Sequence, residues 1–176
     1  MLNTIEEVLV SREQIDQKVK ELGKRISKDY EGKDLVLVGV LKGGFMFMAD
    51  LVREITIPVD MDFIAVSSYG DSTKSSGVVR IIKDIDVTVT NKHVLIVEDL
   101  VDTGLTLKHL KELFKTREPQ SVKICTVFDK PSRRKVDIGV EYEGIVVPDK
   151  FIVGYGLDFA GKYRNLPDVC VLKSTT

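Results

Sequence analysis

Ile15, Val19, Leu22 and Ile26 recur at helical spacing behind Ser11, with Gln14 placed three residues on. That start has the form of a capping box, in which the hydroxyl and the side-chain amide each satisfy an amide left free at a helix N-terminus. The spacing predicts an amphipathic helix over 12–29, ended by the turn residues 31–34. Leu35 to Leu41 is then continuously apolar, the pattern of a parallel strand covered on both faces. Gly43-Gly44 breaks it. Phe45, Met48, Ala49 and Val52 mark a second helix that stops before Pro58. Residues 60–67 read as a strand, and 78–82 and 86–90 as two short ones. His93 to Val97 reads as a second buried strand, Leu107, Leu110, Leu113 and Phe114 as a helix to about 116, and Val122 to Phe128 as a third buried strand. Short apolar runs follow at 145–147 and 170–172.

Buried strands near 35, 93 and 122, with helices after the first two, predict a doubly wound α/β fold with a mainly parallel sheet flanked by helices. In such sheets ligands bind beyond the carboxyl ends of the strands, so the chemistry is expected just after 41, 97 and 128. Residues 67–77 (SSYGDSTKSSG) carry Tyr69 as their one large nonpolar body and predict a mobile loop, either a lid or a plain surface loop.

Composition narrows the classes. The 176 residues hold 26 Lys and Arg against 27 Asp and Glu, for a net charge of −1, which leaves no basic footprint for nucleic acid or an anionic membrane. With 43% hydrophobic and 30% charged residues, one globular domain over 1–176 is expected. Cys125 and Cys170 sit in apolar runs and read as buried hydrophobes of a reducing compartment, and His93 and His109 are too few for a zinc site. The N-terminal stretch lacks a signal-peptide pattern, and the apolar runs fall far short of the ~20 residues that span a bilayer. A soluble, cytoplasmic protein is expected.

The candidate chemistry lies where the fold puts it. Val94-Leu-Ile-Val-Glu98-Asp99-Leu-Val-Asp102-Thr103-Gly104-Leu105-Thr106 delivers three carboxylates and then a small-residue loop that opens a helix. Free amides at that N-terminus, with the hydroxyls of Thr103 and Thr106, suit a phosphate. The alternative is an acidic strand end with an ordinary cap. No Walker pattern is present. Lys42-Gly43-Gly44 offers amides and an ammonium to a second anionic group, or is a simple Gly-Gly turn. Lys130 follows the third buried strand. Phe151, with Gly154, Gly156 and Asp158 after it, either stacks on a planar base near a metal-binding carboxylate or forms a hydrophobic hairpin. Arg133-Arg134-Lys135 reads as a solvated face.

The run over 94–106 is similar to the phosphoribosyl-pyrophosphate (PRPP) signature of type I phosphoribosyltransferases. Leu-Lys-Gly-Gly at 41–44, Ser-Ser-Tyr-Gly at 67–70 and Pro-Asp-Lys-Phe-Ile-Val-Gly-Tyr-Gly-Leu-Asp at 148–158 closely resemble the bacterial hypoxanthine-guanine members, in order over nearly the whole chain. The resemblance implies purine salvage: transfer of the 5-phosphoribosyl group of PRPP to hypoxanthine or guanine, giving IMP or GMP and pyrophosphate, with Mg²⁺. It implies that Glu98 and Asp99 hold the ribose hydroxyls near Mg²⁺, that Asp102 is the general base at the purine N7, and that Thr103, Gly104, Leu105 and Thr106 wrap the 5′-phosphate. Lys42, Gly43 and Arg164 would meet pyrophosphate, and Asp158 a second Mg²⁺. Lys130 would donate to the purine O6, Phe151 stack on the ring and Ile152 offer backbone contacts, while Ser68 and Tyr69 belong to the closing loop. Crowding by Glu98 and Asp99 predicts a raised pKa for Asp102.

The same resemblance implies a small hood lobe made by the N-terminal segment and residues about 145–176, and a homodimer or homotetramer. A lysine at the base edge suits a carbonyl acceptor and disfavours adenine, but nothing in the sequence excludes xanthine. The competing classes are a nucleotide-sensing or RNA-binding regulator on this fold, which lacks its basic face here, and a flavodoxin-like or receiver domain. The latter has no place for the Thr-Gly-Leu-Thr loop.

Overall fold

The computed structural model describes residues 4–68 and 79–173, so Tyr69, most of the 67–77 loop and the side chain of Ser68 lie outside the described residues. The elements run β1 (Ile5–Val10), α1 (Arg12–Asp29), β2 (Leu35–Leu41), α2 (Phe45–Glu54), β3 (Asp60–Ser68), β4 (Val79–Lys83), β5 (His93–Val101), α3 (Leu105–Lys115), β6 (Ser121–Asp129), β7 (Tyr142–Val146), β8 (Ile152–Val153) and β9 (Val169–Leu172). The capping box of α1 is formed: Gln14 N donates to Ser11 Oγ at 3.2 Å, and Ser11 N to Gln14 Oε1 at 2.8 Å. Among the described residues, no helix is long and apolar enough to cross a membrane.

Six strands form the main sheet in the order β4-β3-β2-β5-β6-β7, parallel throughout except for the antiparallel edge strand β4. Alternate residues of the central strands serve opposite faces. Leu35 and Leu37 pack toward α1 and α2 with Leu22, Phe47 and Leu51. Val36, Val38 and Val40 pack on the α3 side with Leu110 and Phe114. Continuous apolarity in these strands is therefore the signature of a doubly covered sheet. From β2 the chain moves outward to β3, whereas β5 returns to the other flank of β2. The carboxyl ends of β2 and β5 thus bound the topological switch point, where α/β sheets open a crevice.

The strand expected at 86–90 does not form. Asp62, on β3, captures that segment instead: its carboxylate accepts from the amides of Phe63 (2.7 Å), Asp86 (2.6 Å) and Val87 (3.1 Å), and from Lys83 Nζ at 3.4 Å. A polar anchor at the first residues overrides their β-branched propensity. Burial opposes ionisation of Asp62, but these donors outweigh it and hold the carboxyl below its ordinary value of 3.8. A depressed carboxyl adds stability that is present above the unfolded pKa and lost as pH falls through the lower folded value. Asp62→Asn is therefore expected to lower the thermal midpoint at neutral pH. It should also flatten the loss of stability in melts run below about pH 4.

A second, three-stranded antiparallel sheet has the order β1-β9-β8. It ties the first described strand to the last and carries Ile152 at one edge. Among the described residues both cysteines are buried and unbridged, and burial pushes their thiols up in pKa.

Candidate active site

Residues at or just beyond the carboxyl ends of β2, β5 and β6 face one cleft of about 720 Å³. β2 ends at Leu41, and the following turn contributes Gly43; the Leu41–Lys42 peptide is cis. β5 contributes Glu98 and Asp99, and the loop after it Asp102 and Thr106. β6 is followed by Lys130 and Arg133. The segment between β7 and β8 brings Asp149, Lys150, Phe151 and Ile152, and the chain beyond β8 brings Asp158 and Arg164.

Gly43 and Asp99 are in close contact: a Cβ built on Gly43 would stand 1.8 Å from Asp99 Oδ2. Glycine lets the turn lie against the acidic strand end, and Asp99 fixes itself by accepting the Leu100 amide at 2.7 Å. Glu98 accepts the Asp99 amide at 3.0 Å but is buried. That burial, then the charge of Asp99 and a hydrogen bond shared with its side chain, push Glu98 well above the ordinary carboxylate range. Crowding by a neighbouring carboxylate thus acts on Glu98. Asp102 is turned to a cation instead, with its Oδ1 accepting from Arg133 Nε at 2.6 Å.

The loop after β5 closes a smaller pocket of about 160 Å³ lined by Glu98, Asp99, Asp102, Thr103, Gly104 and Thr106. Gly104 takes a left-handed conformation (φ 84°), which an L-side chain resists, and so directs the chain into α3. No side chain caps this helix start, and Leu105 N makes only a 3.4 Å contact to Thr103 Oγ1. A helix N-terminus without a side-chain cap, beside two threonine hydroxyls, is an arrangement of donors that suits an anion.

The loop does not hold itself. Lys130 N donates to Val101 O at 2.9 Å, Arg134 Nη1 to Asp102 O at 3.0 Å and Lys135 N to Thr103 O at 2.9 Å. Three successive carbonyls of the acidic loop therefore rest on the segment after β6. Arg134 is anchored in turn by a fork onto buried Asp129, at 2.8 and 2.9 Å. A carboxyl hydrogen bond shared with Asp129, which favours the protonated form of Glu143 as donor, with burial added, raises the pKa of Glu143. The expectation of a solvated face for Arg133-Arg134-Lys135 holds for Arg133 and Lys135, which are exposed, and fails for Arg134, which sits over a buried acid; exposed Arg133 also lines the cleft.

Lys130 is 7% exposed, and its Nζ donates to the Lys150 carbonyl at 2.7 Å. Burial lowers the pKa of its ammonium, against the pull of Asp102 and Asp149. Phe151 is 58% exposed, lines the cleft and forms a T-shaped pair with Phe159, ring centroids 5.6 Å apart. Asp158 is braced by the Gly161 amide at 2.8 Å and by Arg164 at 3.2 Å, and Arg164 Nη1 donates to Gly156 O at 2.6 Å. Of the residues expected from sequence, only Lys42 and Leu105 among those described line neither pocket; Lys42 is exposed and Leu105 begins α3.

Residues 9–160 match the family model described as the phosphoribosyl transferase domain. The chain belongs to the phosphoribosyltransferase family. It is 53% identical over 173 residues to the hypoxanthine-guanine phosphoribosyltransferase of Bacillus subtilis (strain 168), covering 98% of this chain and 96% of that protein. It is equally, 53%, identical over 169 residues to the enzyme of the same name from Streptococcus mutans, covering 96% of this chain and 94% of that one. The crystal structure of a hypoxanthine phosphoribosyltransferase from Staphylococcus aureus superposes with a TM-score of 0.94 at 48% identity, covering 98% of this chain and 97% of that chain. The doubly wound architecture is thus the phosphoribosyltransferase fold.

Within this phosphoribosyltransferase the cleft also holds residues that sequence reasoning passed over: Arg133, Asp149, Lys150 and the apolar floor of Val40, Val66 and Leu157. A signal for Arg133 was present. It lies three residues beyond Lys130, on the ligand edge of a buried strand, behind a proline that forces a turn.

Proposed function

We propose that the chain transfers the 5-phosphoribosyl group of PRPP to hypoxanthine or guanine, releasing pyrophosphate and forming IMP or GMP. The observation that carries this reading is one cleft lined by a buried lysine, Lys130, and an exposed phenyl ring, Phe151, together with the acidic strand end Glu98-Asp99, which also lines the smaller pocket at the start of α3. The base would lie by Lys130 and Phe151 and the sugar phosphate by the acidic strand end and the smaller pocket.

In this reading Lys130 donates to the purine O6, Phe151 covers one face of the ring, and Ile152 presents its backbone to the opposite edge. The amides and hydroxyls of 103–106 hold the 5′-phosphate, and Glu98 and Asp99 accept from the ribose hydroxyls. The Lys42–Gly43 turn and Arg164 meet pyrophosphate. The three-stranded sheet serves as the hood that carries the base-covering segment.

The donor set fits Mg²⁺. A hard cation of that size is satisfied by one or two carboxylates, with water and phosphate oxygens in its other positions. Among the described residues no three His, Cys, Asp or Glu side chains gather to cage an ion without substrate. Glu98 and Asp99 would hold it on the ribose side and Asp158 on the pyrophosphate side; when bound, it neutralises charge growing on the leaving group.

As the bond from C1 of the ribose to pyrophosphate lengthens, positive charge grows on the sugar and negative charge on the departing oxygen. In this reading Arg164, which lines the cleft beside Asp158, and the turn at Gly43 supply positive charge and amide donors to the second of these. The purine nitrogen then bonds to C1, and the proton released at N7 passes to the Asp102 carboxylate. The reading is tested by supplying Mg²⁺ and PRPP with each of hypoxanthine, guanine, xanthine, adenine and uracil, and following nucleotide formation. Product is expected with hypoxanthine or guanine. Its absence with both sinks the proposal.

A further inference from the structure

The side chain of Arg133 has no part in the scheme above, yet it joins two of its moving pieces. Its Nε donates to Asp102 Oδ1 at 2.6 Å and its Nη1 to Asp149 Oδ1 at 3.3 Å. All three side chains are between 42% and 55% exposed, and ion pairs so exposed contribute little to stability. What the bridge does is connect. Asp102 belongs to the loop after β5, and Asp149 to the segment that delivers Phe151 and Ile152.

The base of the bridge is fixed. Arg133 closes a single 3₁₀ turn over Pro131–Arg133, with its amide on Lys130 O at 3.0 Å. That turn is bound to the acidic loop by Lys130 N and Lys135 N on either side. Lys130 Nζ makes a second, parallel link to the same covering segment through Lys150 O. A guanidinium presents several donors in a fixed fork and can hold two carboxylates at set angles; an ammonium is a point charge without that geometry.

We propose that Arg133 is a positioning residue, which orients the Asp102 carboxylate and draws residues 148–151 down over the base by holding both acids at once. This rests on the reading of Asp102 as acceptor of the purine proton. Steady-state kinetics of Arg133→Met, Arg133→Lys and Asp149→Asn, and of Arg133→Met combined with Asp102→Asn, test it. Arg133→Met should lower kcat about tenfold and raise the KM for hypoxanthine by a similar factor, with the KM for PRPP within about twofold. Its thermal midpoint should stay at the wild-type value. Asp149→Asn should raise the hypoxanthine KM with a smaller loss of kcat, and Arg133→Lys should recover kcat but not KM. On the Asp102→Asn background Arg133→Met should reduce kcat little further, because no proton acceptor remains to be oriented.

Independent, multiplying losses in the double variant would overturn the proposal. So would equal rises in both KM values, or unchanged kinetics in Arg133→Met. If Asp102→Asn alone turns over at the wild-type rate, the role of Asp102 fails first, and the two failures are told apart by that single variant.

Discussion

Asp102→Asn is expected to slow turnover by about 10²- to 10⁴-fold, the usual contribution of a general base, while PRPP binding changes little. The amide is nearly the same shape as the carboxylate, and its oxygen can still accept from Arg133 Nε, so the 2.6 Å contact need not break. It cannot take a proton from the purine. The phosphate pocket depends on amides and hydroxyls of 103–106 and on carbonyls held by Lys130, Arg134 and Lys135, none of which the substitution touches. Single-turnover kinetics beside calorimetric titration of PRPP with Mg²⁺ separate the two quantities. Near-wild-type turnover would remove Asp102 from the base role.

Gly156→Ala should disable the enzyme through packing rather than chemistry. Gly156 has φ 95°, and a Cβ there would stand 2.2 Å from the Gly43 carbonyl oxygen. Since Gly43 itself lies against Asp99, its turn is pressed between two neighbours with no slack on either side. Left-handed backbone costs an alanine about 1–2 kcal/mol, and overpacking against main chain adds about 1–3 kcal/mol. For a chain of this size the thermal midpoint should fall by roughly 5–15 °C. The KM for PRPP should rise more than that for hypoxanthine, because the displaced element is the Gly43 turn. A variant with wild-type melting and an unchanged PRPP KM would contradict this packing account.

Reading from pattern succeeded where burial is two-sided. Leu35–Leu41 coincides with β2, and the apolar cores of β5 and β6 lie inside His93–Val101 and Ser121–Asp129. Such strands advertise themselves because every residue is apolar. β1 was harder to see: four of its six residues, Ile5 to Val8, are exposed, so no alternation marks it. The false strand at 86–90 failed because the decisive partner, Asp62, lies more than twenty residues upstream, and capture by a remote carboxylate leaves no local trace. The site residues were legible where spacing is local, as in the acidic run from Glu98 to Asp102. Arg134 was misread because a cluster of three cations looks the same on a solvated face as over a buried Asp129. What separated the two was the fold of the next segment.

The small sheet has a consequence for how the molecule is made. β1 pairs with β9, and Lys173 N still reaches Thr4 O at 2.9 Å. β1 therefore emerges well before the strand it pairs with. At about 5–20 residues per second, the ribosome leaves β1 without its partner for roughly 10–30 s while the main sheet is free to assemble. β8, which carries Ile152, also pairs with β9. A nascent chain halted before Val169 would thus have every strand of the main sheet and the loop after β5, and still lack the strand that anchors Ile152 beside the cleft.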